Sequence, residues 1–254
     1  SRLQQVKTEV EKHLADYRLD LMSQTLYEFV WHDYCDWYLE ISKPLLENDK
    51  TKQGCEATLL KVLSETLVLL HPIIPFITEE IFEQSQKLQS NSTGKLISQP
   101  FPEPNKGLLN TEAEAEIDWL KEFILGIRKI RGEMNISPGK PLPCFVKSYS
   151  SKDQSYIENN KAMLFALAKL DTVDLLSQDE EEPESAIALV GEMKILIPLA
   201  GLIDKGAKRV SLNKEIENLS NLRSNFVPNL NNKNFINGPP EPVVNIEKEN
   251  LELI

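Results

Sequence analysis

The sequence predicts a mainly α-helical protein: an antiparallel helical bundle, then a small α+β unit, then a C-terminal helical hairpin of coiled-coil type. Three observations carry this. Apolar residues recur at intervals of three and four through residues 1–83 and again from residue 204. The period falls to two over short runs between residues 142 and 199, and Pro, Gly and Asn gather at the joints. The 254 residues suffice for one large or two modest domains, and 41% apolar with 7% aromatic residues suits a chain that buries a core. The boundaries this pattern predicts are a bundle over 1–140 with a loop at 85–110, an α+β subdomain over 141–203, and an arm over 204–254.

In the bundle, Val6, Val10, Leu14 and Tyr17 mark one apolar stripe, and Leu26, Val30, Tyr34, Trp37 and Ile41 a second. Leu59, Val62, Leu63, Thr66, Leu67 and Leu70 form a third helix. His71-Pro72 ends it, because the proline ring clashes with the preceding turn and displaces the residue before it from the α region. Pro75 opens a fourth helix, with Glu79 and Glu80 near its start. Such helices pack economically as a bundle. After the polar loop, Glu112–Gly132 is helical again, with Ile117, Leu120, Ile124, Ile127 and Ile130 on one side.

Beyond Ser137-Pro138-Gly139, Leu142, Cys144 and Val146 alternate as in a strand. Tyr156–Leu170 reads as a helix and Thr172–Leu176 as a strand, while Ala186–Val190 and Met193–Leu199 flank Gly191-Glu192, a two-residue hairpin loop. From Asp204 the helical period returns. Leu212, Ile216, Leu219, Leu222, Phe226 and Leu230 form a seam that requires a partner helix. Asn229–Pro240, with five asparagines, is a turn into a second arm. The first arm spans roughly 40 Å and the second roughly 21 Å, so either the second arm is cut short or half the seam packs elsewhere.

The formal net charge of -11 excludes a uniformly basic nucleic-acid binder. It is a sum of opposed blocks. Residues 1–83 carry eight basic and fifteen acidic side chains, residues 121–152 seven basic against two acidic, and residues 171–192 eight acids with no base. Positive blocks within an acidic chain direct attention to an anionic partner, although charge runs also serve simply as solvated faces. No stretch reaches the roughly 18 to 20 apolar residues of a membrane span, and the first residues lack a signal pattern. Cys35, Cys55 and Cys144 are odd in number and without C-x-x-C spacing, so a disulfide framework and a structural zinc are not expected and the cytoplasm is. A start at Ser1, in mid-helix, suggests a processed product or an excised fragment.

Catalytic motifs are absent. His13, His32 and His71 are scattered, no phosphate-cradling glycine loop or nucleophile elbow occurs, and the adjacent pair Glu79-Glu80 points to different sides of its helix. Neither a catalytic residue nor a metal ligand is therefore expected. Two basic constellations remain. Arg128, Lys129 and Arg131 near a helix end are followed by Asn135, Ser137, Gly139 and Lys140 in a turn, where cations answer the helix dipole as readily as they would a phosphate. Lys205, Lys208, Arg209 and Lys214 line one helix of the hairpin, as a solvated outer face or as a contact for a nucleic-acid backbone. Tyr27, Trp31, Tyr34, Trp37 and Tyr38 offer faces on which bases stack, but at helical spacing the core is the economical reading.

The segments Leu26–Trp31, Cys35–Glu40 and His71–Ile81 resemble the anticodon-binding bundle of class I aminoacyl-tRNA synthetases for valine, isoleucine, leucine and methionine. Ile130–Pro141, Ile197–Asp204 and Asn234–Val244 resemble the valyl branch, which carries a C-terminal helical hairpin. The resemblance runs end to end in matching order. It implies recognition of tRNA(Val), with the bundle against the anticodon stem and loop and the hairpin at the outer corner of the tRNA. The parent would be a monomeric valine-attaching ligase that uses ATP and magnesium in catalytic and editing domains lying elsewhere. The HIGH and KMSKS elements are absent from this chain, and so is the bundle helix that precedes a segment like Ser1-Arg2-Leu3 in the family. Phe82 stands where the family commonly has Trp. Two other readings stay open: a protein-interaction module pairing through residues 212–230, and a freestanding RNA chaperone built from the same bundle.

Overall fold

A computed structural model describes residues 1–89 and 94–200, together with Ile216, Glu217 and Ser220. The chain divides into two compact units, Ser1–Pro198 and Leu199–Ile254. In the second unit Ile216, Glu217 and Ser220 are helical. The remainder of the hairpin, most of its seam, and Lys205, Lys208, Arg209 and Lys214 lie outside the described residues.

Helix α1, Arg2–Ala15, buries Leu3, Val6 and Val10 on one stripe. It stops at a turn where Tyr17 takes the left-handed conformation, φ 55°, and stands 91% exposed. Tyr17 therefore does not close the stripe, because the chain has already left the helix. Helix α2, Leu19–Glu28, continues through a π-helical segment, Phe29–Tyr38, into α3, Leu39–Glu47, with helical dihedrals at both junctions. The result is a single rod of roughly 40 Å. The wide π turns have no signature in the apolar spacing. Helix α4, Asp49–Leu70, starts where the Asn48 side chain accepts from the Lys50 N–H. Helix α5, Pro75–Leu88, begins on Pro75 and runs past the start predicted for the loop.

Leu3, Val6 and Val10 meet Met22, Leu26, Phe29 and Leu69 in one core, while Leu67, Phe82 and Leu96 form a second. Leu96 sits in a 3-10 turn, Leu96–Ser98, so the polar connection between helices is pinned by an apolar anchor. Lys7 is buried beside Glu65 of α4 at 2.5 Å and donates to the Glu103 carbonyl at 3.2 Å. The Gln4 side chain accepts from the Asn105 N–H at 2.8 Å. Helix α1 thus holds α4 and the connection at once.

Helix α6, Thr111–Glu133, is capped by the Asn110 side chain. It leads to β1, Leu142–Lys147, then α7, Ser151–Asn159, and α8, Lys161–Ala168. Strands β2, Leu170–Leu175, β3, Ser185–Val190, and β4, Met193–Pro198, complete a sheet of order β2-β1-β4-β3, with β1 and β2 parallel and the other pairs antiparallel. The helix predicted over 156–170 is two helices. A Ser150–Asp153 capping box starts α7 early, and Asn160 marks the break, its amide donating to Tyr156 O and Glu116. The predicted hairpin turn is present, with Gly191 at φ 57°.

Helix α6 packs against β3, β4 and α8. The approach is close at Gly126, where a Cβ would lie 3.2 Å from Ala188 Cβ. Helix α3 of the bundle packs against α8, and Lys121 of α6 faces Asp33, so bundle and sheet fall in the one unit Ser1–Pro198.

Candidate nucleic-acid interface

The inner side of α6 buries Leu120, Phe123, Ile124, Ile127 and Ile130, while Glu122, Leu125, Arg128 and Lys129 are exposed. Arg128 is exposed and its guanidinium lies over the Trp37 ring, 5.5 Å from the centroid; Lys121 Nζ approaches the same ring at 5.9 Å. Lys121 also faces Asp33 at 3.7 Å, and Asp33 accepts from Arg2 at 3.1 Å. This chain of charges ties α1, the π-helical segment and α6 together. Lys129 is exposed beside Glu133 at 3.8 Å. Lys140 is exposed in the turn after Asn135, which takes φ 53°, and its N–H donates to Ser137 O.

Arg131 departs from the predicted set. It is 6% exposed, and its guanidinium donates to the carbonyls of Ser137 at 2.9 Å, Ala168 at 3.0 Å and Lys169 at 2.9 Å. Burial holds its pKa below the usual guanidinium value. The phosphate contact expected of it gives way to a structural role: it pairs the Ala168 carbonyl at the end of α8 and adds a second donor to the Ser137 and Lys169 carbonyls, which also accept from the Lys140 and Leu142 N–H groups. Arg128, Lys129 and Lys140 remain on the surface.

The aromatic run divides in the same way. Tyr34 is buried and burial raises its phenol to about 12, and Trp37 and Tyr38 are half-buried. Tyr27 and Trp31 correct the core reading: they are 61% and 54% exposed, with parallel rings whose centroids are 6.3 Å apart. They form a stripe beside that of Leu26 and Val30, four residues apart, and their neighbours Glu28 and His32 supply the polar signal that the apolar count passed over. The use of Trp37 as a seat for two cations was likewise not legible, since it depends on a helix some ninety residues away.

Among the described residues, no group of His, Cys, Asp and Glu is placed to hold a metal ion, and no helix is long and apolar enough to cross a membrane. Cys55 and Cys144 are buried as free thiols.

A helical bundle thus leads into a small mixed sheet, with cations and a stacked aromatic pair exposed on the surface. The model of the family described as the anticodon-binding domain of tRNA ligase matches residues 1–146, and the chain belongs to that family. It is similar to the valine–tRNA ligases of Legionella pneumophila strains Lens, Paris and Philadelphia 1, with 42% identity over 255 residues, 99% of this chain and 28% of each relative. The chain thus spans little more than a quarter of the length of those relatives. The family-level resemblance read from the motifs is borne out.

Proposed function

We propose that this chain is the tRNA-holding C-terminal part of a valine–tRNA ligase that serves in the cytoplasm. The observation that carries the reading is the 42% identity to valine–tRNA ligases along 99% of the chain, bundle, sheet and arm alike. In this reading residues 1–140 are the bundle, 141–203 the α+β subdomain and 204–254 the coiled-coil arm. ATP, magnesium and the valine-attaching chemistry belong to domains outside the chain, and its own task is to seat tRNA(Val) as part of a monomeric enzyme.

Arg128, Lys129 and Lys140 would neutralise phosphates near the bundle and sheet, and Lys205, Lys208, Arg209 and Lys214 those at the arm. Stems and the tRNA corner are held by phosphate and shape, whereas loop bases are splayed onto aromatic or guanidinium planes. Titration of the chain with tRNA(Val) and with a transcript altered only in its anticodon tests this. If about four phosphates are neutralised, affinity falls roughly a hundredfold over a fourfold rise in salt. Self-association through the seam without any tRNA affinity would overturn the reading in favour of a protein-interaction module.

A further inference from the structure

Lys147 at the end of β1 stands directly across the antiparallel ladder from Lys194 at the start of β4. Opposed positions send both side chains from one face of the sheet, and like charges so placed repel. One carboxylate answers both: Glu182 Oε1 is 3.5 Å from Lys147 Nζ and 3.2 Å from Lys194 Nζ. Lys147 also donates to the Glu180 carbonyl at 2.7 Å, and the Glu180 carboxylate accepts from the Ser177 N–H and hydroxyl. The acid-rich connection between β2 and β3 is therefore folded across Lys147 of the basic block and Lys194 of β4.

We propose that Lys147 and Lys194 form a phosphate-binding site for an RNA backbone, and that Glu182 covers it in the free protein and yields to the incoming phosphodiester. A carboxylate and a phosphate present the same anionic oxygen to an ammonium, so Glu182 occupies the place of the ligand. The Lys194–Glu182 pair is in contact with water and such pairs are weak, while Lys147 is more enclosed, its side chain 13% exposed, and keeps the Glu180 carbonyl as a second partner. A polyanion delivers several phosphates together and gains the entropy of the counterions it releases. The same sheet face offers apolar surface beside the charges: Leu189 is paired with Lys194 and Ile187 with Leu196, and both Leu189 and Ile187 are exposed. The proposal rests on the tRNA-binding reading and adds to it a contact on the sheet.

The test is a titration of tRNA(Val) into the 254-residue chain at rising salt, with four variants. E182Q should tighten binding about threefold to tenfold at low salt and steepen the salt slope by one to two ions. E181Q removes the same charge from an exposed neighbour and measures the effect of net charge alone. K147Q/K194Q should weaken binding, and the triple variant should lose the gain of E182Q. A gain in E182Q no larger than in E181Q, or one that persists without the lysines, overturns the site while the tRNA reading stands. Failure of both the wild type and E182Q to bind overturns both. Should thermal melts show K147Q/K194Q to be unfolded, K194Q alone replaces it, with the same loss expected.

Discussion

Arg131 and Arg128 are three positions apart on α6 and carry the same group, yet one is enclosed by three carbonyls and the other is open to solvent over Trp37. Replacing Arg131 with Met strands the Ala168 carbonyl, removes the guanidinium from those of Ser137 and Lys169, and should cost about 2 kcal/mol in urea unfolding. Arg128→Gln should leave that midpoint unchanged and weaken tRNA(Val) severalfold. No count of basic residues separates the two, because the carbonyls that claim Arg131 come from a turn and from α8, and only the folded chain brings them together. Buried acids of high pKa give a second residue-scale expectation. Burial raises the Cys144 thiol from 9.0 to about 12 and the Tyr34 hydroxyl from 10.0 to about 12. Both groups hold their protons in the folded state where the unfolded chain would release them. Their contribution is full below pH 9 and is lost as the pH rises towards 12. Urea midpoints measured from pH 8 to 11 should fall, and Cys144→Ala should flatten part of the fall.

At the scale of elements, the helices were legible wherever their apolar stripe faced the core, as in α1, α4 and α6, and so was the hairpin turn at Gly191. What escaped the sequence depended on partners distant along the chain. Helix α5 outlasts its polar composition because Phe82 and Ser85 are buried. The segment read as a single helix over 156–170 breaks at Asn160, whose amide is drawn to Glu116 of α6. The hold of α1 can be measured at Lys7, which is buried with Glu65 and the Glu103 carbonyl. Lys7→Met leaves Glu65 without its counter-charge and should destabilise by about 3 kcal/mol, whereas K7M/E65L should recover most of the loss. At Gly126 any side chain presses on Ala188. Gly126→Val should cost about 1 to 3 kcal/mol in the same assay and raise the exposure of β3 amides to hydrogen exchange.

For the molecule as a whole, the net charge of -11 is less a property of the surface than a sum over opposed regions. The sequence marked residues 121–152 as basic and 171–192 as acidic. It gave no sign that Glu182 of the second would settle between Lys147 of the first and Lys194. Bundle, sheet and family were readable from periodicity and motif. The division at residue 140 was drawn where the period changes, but packing takes no account of period. The apolar face of α6 lies on β3, β4 and α8, and α8 in turn packs against α3 of the bundle.

That helix bears on how a large ligand can be met. Helix α6 lies on the sheet at Gly126 and reaches the bundle through Lys121 and Arg128, which meet Asp33 and Trp37. The aromatic and basic groups near Trp37 and the lysines of the sheet thus belong to one compact unit. An RNA that touched both would meet them as parts of a single body, and its shape would have to fit their separation.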